Sequence, residues 1–162
     1  MSATTSAVCL SSHRTDPKTS THPAKGHGRI LVATYSSEGR RMISGMLRCI
    51  GLEISVAGNG REVCDLALSA WKAGEGFDLI LMDMNLQQID GYEGTALLRS
   101  MGYDGRIVAL MPEFTFPSTH QKCLAAGCDG YASKPINFGM LRDVVERFVP
   151  SALTDSRDAV GY

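Results

Sequence analysis

Short apolar runs and helical stripes alternate along the middle of the chain. Residues 29–34 form a near-continuous apolar run of strand length, and residues 52–56 alternate with a period of two. Residues 77–82, 107–110 and 131–133 are further β-type stretches. Between them apolar positions recur at helical spacing. Met42, Ile43, Met46, Leu47 and Ile50 form one stripe, and Val63, Leu66, Ala67 and Ala70 the next. Helices are also predicted over 92–101 and 118–126, and a last one carries Phe138, Leu141, Val144, Val145 and Phe148 on its inner face. Ser36 or Ser37 and Asn137 can cap helix starts. Gly51, Gly74, Gly102 and Gly127 stand where helices should stop, and Gly58-Asn59-Gly60 reads as a turn. Five βα units in succession predict an α/β fold: a doubly wound, five-stranded parallel sheet with helices on both faces. Methionines at helical spacing read as core filler.

The two ends lack this patterning. Residues 1–28 are rich in Ser, Thr, His and Pro and read as a disordered N-terminal tail, too polar to offset the entropy of ordering. The segment is acid-poor, as a transit peptide would be, but has no amphipathic stripe. Residues 29–149 read as one domain and 150–162 as a C-terminal tail. Gly26-His27-Gly28 precedes a strand instead of following one, so it is no dinucleotide fingerprint.

Composition narrows the function classes. A net charge of -1 argues against a nucleic-acid partner, and no apolar stretch reaches membrane-spanning length. Five cysteines, at 9, 49, 64, 123 and 128, show no C-x-x-C pair. That fits reduced thiols and a cytoplasmic location better than a disulfide frame or a zinc site. Three of the four histidines fall in the N-terminal tail, which makes a metal or catalytic role for them a poor expectation.

Two residues suggest chemistry. Asp83 ends the apolar run Leu79-Ile80-Leu81-Met82, which puts a carboxylate at the C-terminal mouth of an α/β sheet, where such folds bind ligands. Lys134-Pro135 follows another strand about fifty residues later. Together they suggest an acidic acceptor and a cation converging on a phosphoryl-sized site. The plainer alternative is an Asp that only caps a turn.

From Arg29 to Val149 the chain resembles a response-regulator receiver domain, with a flavour closest to the receivers of hybrid kinases. The resemblance rests on five ordered motifs. They are Ala57-Gly58-Asn59-Gly60-Arg61-Glu62, Asp78-Leu79-Ile80-Leu81-Met82-Asp83-Met84, Asp90-Gly91-Tyr92-Glu93, Cys123-Leu124-Ala125-Ala126-Gly127-Cys128-Asp129 and Ser133-Lys134-Pro135-Ile136. It implies a flavodoxin-like fold with strand order 2-1-3-4-5, the order that general fold rules already give for receivers. It also implies that Asp83 is the phosphoacceptor, Lys134 its conserved cation, and a histidine kinase, phosphotransfer protein or other signalling protein the partner.

The chain departs from the family pattern where the metal and the switch belong. Thr34 and Tyr35 stand where two Mg²⁺-holding acids are usual, Met111 where a Ser or Thr is usual, and Gln87 where a Pro is usual. Asp83 and a backbone carbonyl near Asn85 are the remaining ligands expected for Mg²⁺, so no cofactor is expected to bind well. Glu38 and Glu113 could replace the missing carboxylates, although both read better as solvated glutamates. Without a hydroxyl at Met111, coupling of phosphate to the aromatic Tyr131 is in doubt.

Three readings stay open. One is a degenerate receiver, weakly phosphorylated or acting as a phosphate-independent interaction module, with a homodimer among its possible assemblies. Another is a fully competent phosphoacceptor. A remote third is an aspartyl-nucleophile phosphatase, which usually carries D-x-D where this chain has Asp83-Met84-Asn85. The outer face of the last helix and residues 111–117 are the first places to expect an interface.

Overall fold

The computed structural model describes residues 8–10, 28–112 and 116–149. Its strands are β1 (Val8–Leu10), β2 (Arg29–Ala33), β3 (Glu53–Ala57), β4 (Leu79–Asp83), β5 (Arg106–Met111) and β6 (Gly130–Ser133). Its helices are α1 (Ser37–Cys49), α2 (Gly60–Lys72), α3 (Gly91–Ser100), α4 (Pro117–Ala126) and α5 (Phe138–Phe148). The strands make one sheet in the order β1-β6-β5-β4-β2-β3. The last five are parallel neighbours, as predicted.

Alternate residues of each central strand enter opposite cores. Leu31, Ala33, Ile80, Met82, Ile107 and Ala109 pack under α2, α3 and α4 with Val63, Cys64, Leu98 and Cys123. Ile30, Val32, Leu79, Leu81, Val108 and Leu110 pack under α1 and α5 with Ile43, Leu47, Leu141, Val144 and Val145. Burial on both faces is why these strands read as unbroken apolar runs. β3, at the sheet edge, is buried only at Ala57, and Val56 of its alternating apolar set is exposed. Fully burying each large aliphatic side chain contributes about 1.5–3 kcal/mol.

Polar caps set the helix starts. Ser36 Oγ accepts the Gly39 N–H at 3.1 Å, Asn59 Oδ1 the Glu62 N–H at 2.9 Å, Asp90 Oδ1 the Glu93 N–H at 2.8 Å and Asn137 Oδ1 the Met140 N–H at 2.9 Å. Each satisfies a donor that has no partner inside the helix. α4 has no side-chain cap and begins instead on Pro117, preorganised for the first helical position.

The structure corrects three expectations. The sheet has a sixth strand: β1 pairs antiparallel with β6, Val8 opposite Ala132 and Leu10 opposite Gly130. Three residues assigned to the N-terminal tail therefore belong to the sheet; the tail expected over residues 1–7, 11–27 and 150–162 lies outside the described residues. A run of three is too short to show a period of two, so no pattern marked it. Phe138, expected on the inner face of α5, and Met42, expected on that of α1, are both exposed. Phe138 is the first residue of its helix, where an apolar stripe has no preceding turn to align with.

Candidate functional site

The C-terminal ends of β2, β4, β5 and β6 build the site. Asp83 is the last residue of β4, and its side chain is only 1% exposed. Lys134, just past β6, donates from Nζ to Asp83 Oδ2 at 2.6 Å. Thr34, just past β2, donates its hydroxyl to the same oxygen at 3.3 Å. The other oxygen, Oδ1, accepts the Asn85 N–H at 2.9 Å. The predicted convergence of Asp83 and Lys134 is thus observed, and the carboxylate already holds three donors. A charged pair at this distance inside the protein is far stronger than one in water, but desolvation offsets much of the gain.

Main-chain ties hold these groups in place. The Lys134 N–H donates to the Met111 carbonyl at 2.7 Å, and the Met84 N–H to the Leu110 carbonyl at 3.2 Å. The Thr34 N–H reaches back to the Ala57 carbonyl at 3.2 Å. Two motif glycines let the loops close. A Cβ on Gly91 would lie 2.6 Å from the Asp83 carbonyl oxygen, and one on Gly60 only 1.8 Å from the Ile89 carbonyl oxygen. Only glycine permits so close a backbone approach. Between them Gln88 adopts φ 67°, a left-handed conformation uncommon outside glycine.

The two positions where the family places acids face differently. Thr34 is buried against Asp83, while Tyr35 is 52% exposed. A cation serves this loop: Arg40 Nη1 donates to the carbonyls of Thr34 at 2.7 Å and Tyr35 at 3.2 Å. The sequence reading missed Arg40. Its one available signal was a basic residue in the first turns of the helix that follows the strand. Among the described residues the oxygens available to a cation at Asp83 are one carboxylate, the neutral Thr34 hydroxyl and backbone carbonyls. Glu38 is exposed in the first turn of α1. Glu113 lies outside the described residues, among which no cluster of three His, Cys, Asp or Glu side chains forms. Asn85 is exposed, so its contribution to the acceptor is its backbone N–H.

Met111 is fully buried at the end of β5 and presents no hydroxyl to Asp83. Tyr131 is buried in β6 and stacks on His120 of α4, ring centroids 4.2 Å apart and 16° between planes. The aromatic expected to respond to the site therefore bridges β6 and α4.

Residues 30–146 match the model of the response regulator receiver domain. The osmosensing histidine protein kinase SLN1 of Saccharomyces cerevisiae is 33% identical over 122 residues, covering 74% of this chain and 10% of the kinase. The chain spans only about a tenth of that relative. The Vibrio cholerae chemotaxis protein CheY4 is 30% identical in sequence and similar in structure with a TM-score of 0.68, covering 76% of this chain and 99% of CheY4. The receiver domain of the sensor histidine kinase PA1611 from Pseudomonas aeruginosa, solved with a magnesium ion coordinated in its active-site cleft, is 26% identical. Its TM-score is 0.67, over 76% of this chain and 98% of that domain. Among the described residues no helix is long and apolar enough to cross a membrane. With Asp83 and Lys134 joined at the C-terminal edge of a sheet of this order, the chain belongs to the response regulator receiver family of two-component signalling.

Proposed function

We propose that this receiver keeps Asp83 as its acceptor position but has a degenerate metal and switch site, so that it is weakly phosphorylated or acts as a phosphate-independent interaction module. One observation carries the reading: the hydroxyl of Thr34, not an acid, stands against Asp83 Oδ2 beside Lys134. Mg²⁺ takes oxygens in near-octahedral array, usually with one or two carboxylates. Here one carboxylate is already engaged by three donors, and Arg40 adds positive charge at the neighbouring carbonyls. The donor set fits a divalent cation poorly.

Lys134 and the Asn85 N–H can still orient Asp83 for in-line attack, because both bind its carboxylate. Neutralising the charge on the transferring group is the main work of phosphoryl transfer, and Lys134 is the cation left to do it. Loss of one preorganised contact typically costs about 10²–10³ in rate. The transfer partner is a histidine kinase or phosphotransfer protein; in the phosphate-independent mode another signalling protein, or a second copy of the chain, docks on the fold. The cysteine content and apolar pattern favour a cytoplasmic setting.

Incubation with a small-molecule phosphodonor, with and without Mg²⁺, tests this by intact mass. The expected result is a small phosphorylated fraction, insensitive to Mg²⁺ and absent in Asp83→Asn. Thr34→Asp with Tyr35→Asp and Met111→Thr should raise it. Rapid, complete, Mg²⁺-dependent phosphorylation of the unaltered chain would establish the competent acceptor instead, the alternative favoured by the intact Asp83–Lys134 pair.

A further inference from the structure

Away from the acceptor, α4 ends in a hydrogen-bonded loop that holds two thiols together. Gly127 takes φ 111°, its N–H donates to the Leu124 carbonyl at 3.0 Å, and the Cys128 N–H donates to the Cys123 carbonyl at 3.3 Å. This pair of bonds is a Schellman motif, which characteristically brings the side chains of its first and last residues into contact. In this chain both of those residues are cysteine. Both side chains are buried, and the motif sets them against each other. The Thr95 hydroxyl lies 3.8 Å from Cys128 Sγ, and Arg99 Nε donates to the Gly127 carbonyl at 3.0 Å, bringing a guanidinium to the same loop.

We propose that Cys123 and Cys128 are a redox-responsive dithiol that a small-molecule disulfide closes to a disulfide bond. The chemistry assigns unequal roles. Interaction with the Cys123 thiol, and then the charge of Arg99, which Asp129 opposes, hold the Cys128 thiol below its ordinary value despite burial. The same interaction with Cys128, and then burial, push Cys123 up. Cys128, 5% exposed where Cys123 is 0% and beside the Arg99 guanidinium, is the attacking sulfur, since the thiolate is the nucleophile. Its thiolate attacks one sulfur of oxidised glutathione, forms a mixed disulfide and releases one glutathione thiolate. Cys123 then loses its proton and attacks Cys128 Sγ, expelling the second glutathione. Two protein thiols are oxidised by two electrons, one glutathione disulfide is reduced, and the two protons end on the released thiols.

Access comes from α4 itself. It buries a single residue, Cys123, where the other helices each bury three or four, and it has no side-chain N-cap. A helix so lightly anchored opens locally at less than the global unfolding free energy. The opposing view is that the pair is inert core filler, as buried cysteines commonly are. A closed disulfide would fasten the last turn of α4 to the start of β6, the two elements that His120 and Tyr131 also join.

The test uses the full reduced chain, treated with excess oxidised glutathione under native conditions, then alkylated and mapped by peptide mass spectrometry. The expected product is a monomer lighter by two hydrogens, with the Cys123 and Cys128 peptides linked and amide exchange in α4 slowed. Cys128→Ser should give no such link under the same treatment. If that variant does not fold, the peptide map of the unaltered chain decides alone. Glutathione or linkage confined to Cys9, Cys49 or Cys64, with Cys123 and Cys128 both labelled as free thiols after denaturation, would overturn the proposal.

Discussion

Replacing Lys134 by alanine should destabilise the domain measurably, and removing Asp83 as well should reverse part of the loss. Lys134→Ala leaves a carboxylate that is 1% exposed with only the Thr34 hydroxyl and the Asn85 N–H. Removing one partner of a buried pair costs about 3–5 kcal/mol. The Lys134 side chain is 37% exposed, so water already screens its end, and the discounted cost is about 1–3 kcal/mol. For a domain of this size that is a fall of roughly 5–10 °C in Tm. Asp83→Asn removes the buried charge and leaves Lys134 free to turn to solvent, so its cost should stay near about 1 kcal/mol. Urea melts of the wild type, both single variants and Asp83→Asn/Lys134→Ala complete the cycle. The double variant should lie close to Asp83→Asn. Additive losses, or a Lys134→Ala cost under about 0.5 kcal/mol, would show that the 2.6 Å contact contributes no net coupling.

Gly91→Ala should cost about 1–3 kcal/mol and move the Asp83 amide resonance, because the new Cβ meets the Asp83 carbonyl at 2.6 Å and Met84 Cα at 2.7 Å. Gly45→Ala, in the exposed interior of α1 with nothing within 4 Å, should instead stabilise by about 0.5–1 kcal/mol in the same melts. Burial raises the folded Asp78 carboxyl above 3.8 and outweighs the opposing N–H bond and charge of Arg29. The native state then holds that proton more tightly than the unfolded one, so the contribution is full below 3.8 and lost as pH rises through the folded value. Asp78→Asn should flatten that fall and be the more stable protein at neutral pH, checked by melts across an acid-to-neutral series. Tyr103→Phe should be neutral or stabilising by up to about 1 kcal/mol, since its buried hydroxyl has no hydrogen-bond partner among the described residues; thermal melts decide.

The βα alternation was legible because central strands buried on both faces, such as Leu79–Asp83, and one-sided helices leave different apolar periods. Helix starts were legible at Ser36 and Asn137, whose side chains cap, while Asn59 and Asp90 cap α2 and α3 from stretches that read as turn and motif. Asp83 and Lys134 could be paired because each follows a strand, and parallel strands all deliver such residues to one edge. Three features were not legible for definable reasons. β1 is three residues long and depends on a partner strand more than a hundred residues away. Arg40 acts through main-chain carbonyls, which leave no residue pattern. The Cys123–Cys128 contact exists because Gly127 turns left-handed, and the five-residue spacing alone matches no thiol motif.

The altered positions change the side-chain chemistry at the strand ends and leave the main-chain frame intact. Thr34 places a neutral hydroxyl on Asp83, so among the described residues one carboxylate faces one lysine with no second acid against it. Met111 removes a hydroxyl, yet its carbonyl still receives the Lys134 N–H at 2.7 Å, so the ends of β5 and β6 stay tied with or without phosphate. The stack of Tyr131 on His120 likewise holds β6 to α4 in the unmodified protein. A signal that requires phosphate to pull a loop inward would have lost its side-chain handle here. A signal that requires only a firmly held surface keeps the backbone tie of Lys134 to Met111 and the Tyr131–His120 stack. This asymmetry is what the proposed phosphate-independent docking rests on.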